Sequence, residues 1–202
     1  MKIIELEQGS EDWLLWRKAH ITATSAGILM GHNPWRTPLD LYNEMLGFTA
    51  PQETNAAMTR GSEMEPTARA LFVERVGIEM IPIVCESDVN HWMAASLDGW
   101  NEEGKIILEI KCPNAKTHDM ALNCDLPIYY RDQIMHQFAV TQGKICYYMT
   151  YRPEHPKPFA IIEIMPDWNY IAEMIEVERE FYENHLCVFN PPTPKTLNMR
   201  SM

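Results

Sequence analysis

A chain of 202 residues with a 46% hydrophobic fraction and six tryptophans can bury a full core, which excludes a disordered chain and fits one ordinary domain. No apolar run is long enough to cross a bilayer, and the opening Met-Lys-Ile-Ile-Glu-Leu-Glu-Gln lacks the apolar core of a secretory signal. The net charge of -11 excludes a uniformly basic surface, and five cysteines without a Cys-x-x-Cys pair predict reduced thiols in a cytoplasmic protein rather than disulfides or a zinc site.

Gly9-Ser10-Glu11-Asp12 opens a helix, with Ser10 as cap and acids in the first turn; Trp13, Leu14 and Arg17 follow at helical spacing. Residues 21–31 predict a second helix closed by Gly31. Asn33-Pro34-Trp35 reads as a turn, and Thr37-Pro38 starts a third helix that Gly47 ends. A polar loop over 48–57 leads to a helix over 64–76, terminated by Gly77. The texture then changes to strands at 78–85, 91–96 and 105–111. A helix over about 127–141 follows, then strands at 144–151 and 159–165 joined by a Pro-rich loop.

The last helix is expected over about 167–187. Glu163, Asp167, Glu173, Glu176, Glu178, Glu180 and Glu183 face one base there, Arg179, which predicts a solvated outer helix carrying much of the net charge. A basic channel within an acidic body stays compatible with that distribution. The order of elements predicts an α+β fold, a central mixed β-sheet flanked by helices. Residues 1–190 are expected to form a single domain, with 191–202 a flexible tail.

The chemistry concentrates between Ser96 and Pro113. Strand 105–111 puts Glu109 and Lys111 on one face and Leu108 and Ile110 on the other. Asn101-Glu102-Glu103-Gly104 suits a hairpin turn that folds Asp98 back beside Glu109. Two carboxylates and an ammonium then meet at one point. Carboxylates are hard ligands for Mg²⁺, with which a water can be activated and a phosphodiester's leaving oxygen stabilised. A lysine there can orient the water or neutralise developing charge. An Asp before Gly is also a common turn residue, and a Glu and Lys two apart also form solvated strand faces. Against that, Glu109 sits among Ile107, Leu108 and Ile110, where an unpartnered carboxylate costs several kcal/mol to bury.

Five blocks in order extend this reading: W-x-x-x-R-x-x-x-I-T-A-T (13–24), G-H-N-P-W-x-T-P (31–38), R-G-S-E-M-E-P-x-A-R (60–69), M-A-A-S-L-D-G (93–99) with L-E-I-K-C-P (108–113), and Leu126-Pro127 leading I-Y-Y-R-D-Q-I-M-H-Q (128–137). Together they resemble the lambda exonuclease family, the YqaJ-type viral recombinases and alkaline exonucleases of the restriction-endonuclease-like group. The resemblance implies an α/β-type core of that group and a Mg²⁺-dependent exonuclease, with Mn²⁺ as a possible substitute. It implies processive digestion of one strand of linear duplex DNA, 5′ to 3′, by a homotrimeric ring. It also implies a phage or prophage setting and a single-strand annealing recombinase as partner on the exposed 3′ overhang.

Carried over by position, Asp98 and Glu109 correspond to metal-binding carboxylates, the Ile110 carbonyl to a further ligand and Lys111 to the catalytic lysine. Glu65, rather than Glu63, corresponds to the helix acid that completes the site, and Gln133 to a glutamine at its edge. Arg17, Thr24 and Ser96 correspond to the region that holds the 5′-terminal phosphate, for which hydroxyls and an arginine are suitable donors. A threonine stands at 24 where the family also uses serine, and the register of a basic residue near Lys116 is open.

Each residue also has a plainer reading. Arg17 suits a surface arginine packing its stem on Trp13. Glu65 suits a helix-start acid, and Gln133 an amide serving a strand backbone. Thr24 and Ser96 taken singly carry little signal, and His136 receives no catalytic role. Tyr129, Tyr130, Tyr147 and Tyr148 are expected as core or rim aromatics, and Trp35, on an exposed turn, as packing or as a wedge at a duplex end. Two rival functions remain: an endonuclease of the same fold acting on internal or branched DNA, and a non-catalytic module that binds DNA ends or loads a recombinase.

Overall fold

Seven strands and seven α-helices are formed by the described residues of the computed structural model, 1–50 and 56–186. The middle of the polar loop and the expected tail lie outside them. Strand β1 (Lys2–Ile4) precedes helix α1 (Glu11–Lys18), where the Ser10 hydroxyl accepts the Trp13 N–H at 3.2 Å as a side-chain cap. Residues 21–31 differ from the single helix expected. Ile21–Thr22 form a short strand, β2, parallel to residues 93–94, and helix α2 begins at Ala23 and runs to Leu29. Pairing with a distant strand overrides local helix propensity here, and both residues are buried.

Asn33 Oδ1 accepts the backbone N–H groups of Trp35 and Arg36, both at 2.9 Å, and so builds the expected turn. Helix α3 (Pro38–Met45) starts on a complete capping box between Thr37 and Asp40. Helix α4 (Ala56–Val76) is longer than the sequence suggests. It begins eight residues before the expected 64–76, runs through Gly61 and holds Pro66 in its interior. Its inner face, through Ala68 and Phe72, packs on the sheet and outweighs one missing backbone donor.

Strands β3 (Ile81–Glu86), β4 (Met93–Asn101) and β5 (Ile106–Lys111) follow. β4 and β5 form an antiparallel hairpin, with Gly99 opposite Leu108. A Cβ on Gly99 would stand 2.9 Å from Met80 Cβ and 3.0 Å from Leu108 Cβ, so only glycine lets the chain pass beside Asp98 at this spacing. Helix α5 (Ala115–Leu122) was not anticipated, although Asn114 caps it by accepting the Thr117 N–H. Helix α6 (Ile128–Thr141) is buried along residues 132–141. Strands β6 (Ile145–Tyr151) and β7 (Phe159–Ile164) pair antiparallel, and helix α7 (Trp168–Phe181) ends in a π-helical turn over Tyr182–Leu186.

The sheet order is β1-β3-β4-β5-β6-β7, with β2 added on β4. β5 and β6 are parallel and the other neighbours along that path antiparallel, so the sheet is mixed and the fold α+β. One face packs Ile107, Trp100 and Tyr148 against Ala26, Ile134, Phe138 and Met174 from α2, α6 and α7. The other packs Leu108, Ile110 and Met149 against Ala68 and Phe72 of α4. This alternation along β5 sends Glu109 toward α6. Helices α2 and α6 approach closely: a Cβ on Gly27 would stand 3.0 Å from Tyr129 Cβ.

Helix α7 corrects one expectation. It is not a wholly solvated acidic helix: Glu178 is fully buried and pairs with the buried His136. The remaining acids of the segment are exposed.

Candidate active site

Glu109 is buried, 1% exposed, and its two oxygens are held separately. Gln133 Nε2 donates to Oε1 at 2.7 Å and Gln137 Nε2 donates to Oε2 at 2.6 Å. Lys111, the next residue on the same face of β5, forms an ion pair with Oε1. Burial works against the lysine charge, but Glu109 and Asp98 outweigh it and hold the ammonium above its ordinary range. Lys111 Nζ also lies 5.0 Å from the Tyr130 ring centre.

Asp98 stands at the point where β4 parts from β5. Its Oδ2 accepts the Ile110 N–H at 2.6 Å, so the hairpin does fold it back beside the Glu109 strand. Burial first, and then the charge of Glu109, push its carboxyl well above the usual carboxylate range. Glu65 comes from α4 on the opposite face of the sheet. Burial raises its pKa as well, Arg69 opposes the rise, and Glu109 adds to it. Arg69 ties the two segments together, since it pairs with Glu65 and donates its Nε–H to the Asp98 carbonyl. Glu63 is exposed.

Three carboxylates therefore gather against two cations, Lys111 and Arg69. The donors are hard oxygens, and with the Ile110 carbonyl they suit a hard divalent cation. Among the described residues no three Asp, Glu, His or Cys side chains converge into a ready coordination shell. Glu65 is drawn to Arg69 and Glu109 to Lys111, rather than both to one point. The excess of negative charge, and the raised Asp98 and Glu65 carboxyls, are what a divalent cation would relieve.

Arg17, Thr24 and Ser96 form a second group. Arg17 Nη2 donates to Thr24 Oγ1 at 3.1 Å, and its guanidinium lies 4.4 Å from the Trp13 ring centre. Trp13 Nε1 donates to Ser96 Oγ at 3.0 Å. The packing of Arg17 on Trp13 and its contact with Thr24 thus coexist. Burial lowers the Arg17 pKa and Glu44 opposes that. A groove of about 330 Å³ has Arg17, Lys18, Thr24 and Asn33 in its wall, together with Arg36 paired to Glu44 and apolar residues such as Ile28 and Leu41. Lys116 is an exposed residue of α5.

Trp35 is 72% exposed, and its ring meets Tyr129 edge-on at 5.2 Å. Tyr129 in turn touches Tyr130 at 4.6 Å. Tyr148 is a core residue, whereas Tyr129 and Tyr130 lie at the rim. Two residues of the site were not anticipated. Gln137 carried a legible signal, because it lies four residues beyond Gln133 and therefore on the same helix face. Arg69 sits four residues after Glu65 in the same way. Burial pushes the thiol of Cys112, next to Lys111, up to about 11, and the charges of Asp98 and Glu65 add to the rise.

Residues 12–144 match the family model described as the YqaJ-like viral recombinase domain. Protein R354 of Acanthamoeba polyphaga mimivirus is 27% identical over 159 residues, 72% of this chain and 29% of that protein. Protein YqaJ of Bacillus subtilis is 26% identical over 137 residues, 66% of this chain and 43% of that one. The chain thus spans less than half the length of these two relatives. Among solved structures, the alkaline exonuclease LHK-Exo from Laribacter hongkongensis is 28% identical, with a TM-score of 0.77 over 89% of this chain and 94% of that one. LHK-Exo in complex with dAMP gives a TM-score of 0.76 at 27% identity. A phage-related exonuclease from Haemophilus somnus 129PT, 14% identical with a TM-score of 0.64 over 84% of this chain and 96% of that one, shares the fold. That fold is restriction-endonuclease-like.

Proposed function

The chain belongs to the YqaJ-like viral recombinase domain family, and on that premise we propose that it is a Mg²⁺-dependent deoxyribonuclease that degrades one strand of linear duplex DNA from a 5′-phosphorylated end. The observation that carries the reading is the gathering of Asp98 and Lys111 around the buried Glu109 carboxylate. The likeness to LHK-Exo, an alkaline exonuclease crystallised with dAMP, supports it. The reaction leaves a 3′ single-stranded overhang, a substrate for an annealing recombinase. A homotrimeric ring around the duplex would make digestion processive.

Asp98, Glu109, Glu65 and the Ile110 carbonyl would hold the cation, which when bound supplies Lewis acidity to a phosphodiester. Lys111 carries its positive charge beside Glu109 and offers N–H donors to the charge that develops on the phosphate. Gln133 keeps Glu109 oriented. Arg17 and Thr24 offer donors to a terminal phosphate, and that contact sets polarity because only a phosphorylated 5′ end engages it. No covalent intermediate with the protein is required.

A digestion time course tests the reading. The purified chain meets a linear duplex labelled on one strand, with 5′-phosphate or 5′-hydroxyl ends, and a closed circle, in Mg²⁺ or EDTA. The expected result is Mg²⁺-dependent release of mononucleotides from the phosphorylated 5′ end with the circle intact. Cutting of the circle would establish an endonuclease instead, and end binding without cleavage a loading module.

A further inference from the structure

Gln137 is fully buried on α6, and the two ends of its amide are treated unequally. Its Nε2 donates to Glu109 Oε2 at 2.6 Å, whereas its Oε1 is buried without a hydrogen-bond partner. An orphaned buried acceptor is destabilising, because it gives up its bond to water and gains none in the fold. Flipping the amide gives no relief, because it would set Oε1 against Glu109 Oε2, two acceptors face to face. An apolar side chain of similar length would fill this position without the orphan. Packing alone therefore does not account for a glutamine here, and its donation to Glu109 does.

The neighbouring residues sharpen the contrast. Gln133, one turn earlier, donates to the other oxygen of the same carboxylate. His136, between them in sequence, turns away to Glu178 and the Ala94 carbonyl. Asp132 accepts from Tyr170 and His32. Of the five buried polar side chains on this helix, the two glutamines converge on Glu109, and Asp132, His136 and Thr141 do not.

We propose that Gln137 is a positioning residue: with Gln133 it forms a two-amide clamp that fixes the plane of the Glu109 carboxylate, so that the remaining lone pair on Oε2 keeps one direction for a divalent cation. The inference rests on the reading of Glu109 as a cation ligand. A carboxylate held at one oxygen, as Gln133 and Lys111 alone would hold Glu109, can swing its other oxygen about the terminal bond, while one held at both oxygens cannot. Outer partners of this kind change metal affinity by about 10–100-fold when removed.

The test is a Mn²⁺ titration of the metal-free full chain, read as the rise of its unfolding temperature, with Mg²⁺-supported cleavage of a 5′-phosphorylated duplex as a second readout. Gln137→Met should weaken the apparent Mn²⁺ affinity by about 10–100-fold, and its cleavage should recover in part at high Mn²⁺. A lower metal-free unfolding temperature with unmoved Mn²⁺ affinity is the signature of packing alone and overturns the proposal. If Gln137→Met gives no cooperative transition, Gln137→Asn, which keeps the amide but stops one methylene short, is read in the same way. A wild-type chain without any Mn²⁺ response also overturns the clamp. A wild-type chain that responds to Mn²⁺ yet cleaves no DNA overturns the nuclease reading alone.

Discussion

Glu109 and Glu178 are both buried against α6, 1% and 0% exposed, and they are neutralised in different ways. Glu178 meets one group. His136 Nδ1 stands 2.8 Å from its Oε1, and His136 Nε2 faces the Ala94 carbonyl at 3.0 Å. Each ring nitrogen thus has an oxygen partner, and the two side chains pair one to one. The pair joins α7, α6 and β4. Glu109 instead meets two amides and Lys111, with Asp98 and Glu65 adding negative charge nearby. That surplus is unfavourable in the protein alone and is suited to an arriving cation. A buried charge balanced by one partner holds a fold together, whereas an unbalanced cluster of acids is poised to bind.

The largest effect is expected where the closed pair is broken. His136→Leu leaves Glu178 buried without a partner and should cost about 3–5 kcal/mol of stability by denaturant unfolding. Adding Glu178→Leu should restore most of it; a double variant as unstable as the single would end the account of a closed pair. Lys111→Ala is next. It should keep DNA binding and lose turnover by about 10²–10³-fold in single-turnover cleavage, and unchanged turnover would remove the role assigned to Lys111.

Arg17→Ala should reduce the preference for 5′-phosphate over 5′-hydroxyl ends by roughly tenfold, the scale of one charge-assisted hydrogen bond. An unaltered preference would count against the Arg17 group as the terminal phosphate contact. The smallest effect separates the two carboxylate environments by pH. Asp98 and Glu65 have raised pKa values in the folded chain and so bind protons more tightly folded than unfolded. The metal-free chain should therefore lose stability as pH rises from the ordinary values of 3.8 and 4.5 through the folded ones. Asp98→Asn, which can still accept the Ile110 N–H, should flatten that loss and raise the unfolding temperature in EDTA by a few degrees. A profile identical to wild type would refute the repulsion at Asp98.

Much of the scaffold was legible because its signals are local. Ser10 and Thr37 cap the helices they precede, and Gly47 and Gly77 follow the ends of α3 and α4. The strands at 106–111, 145–151 and 159–164 follow β-branched and aliphatic runs. The misses have the opposite character. Ile21–Thr22 resemble the start of a helix until they pair with residues 93–94. Glu178 resembles the solvated acids around it until His136 arrives from another helix. Asn114 does cap α5 locally, but the mixed polar sequence after it gives a weak helical period, and packing against β7 completes that helix.

The sequence by itself determined the hairpin that carries Asp98, Glu109 and Lys111, because strand alternation and a short turn relate residues only 13 apart at most. It also determined which acids and bases are available to the site. Tertiary structure alone decided how those charges are shared. Glu65 with Arg69 comes from α4, and Gln133 with Gln137 from α6, on opposite faces of the sheet. The physical reason is that a carboxylate's partners are set by distance and burial, and residues far apart in the chain acquire both only when the sheet and its helices pack.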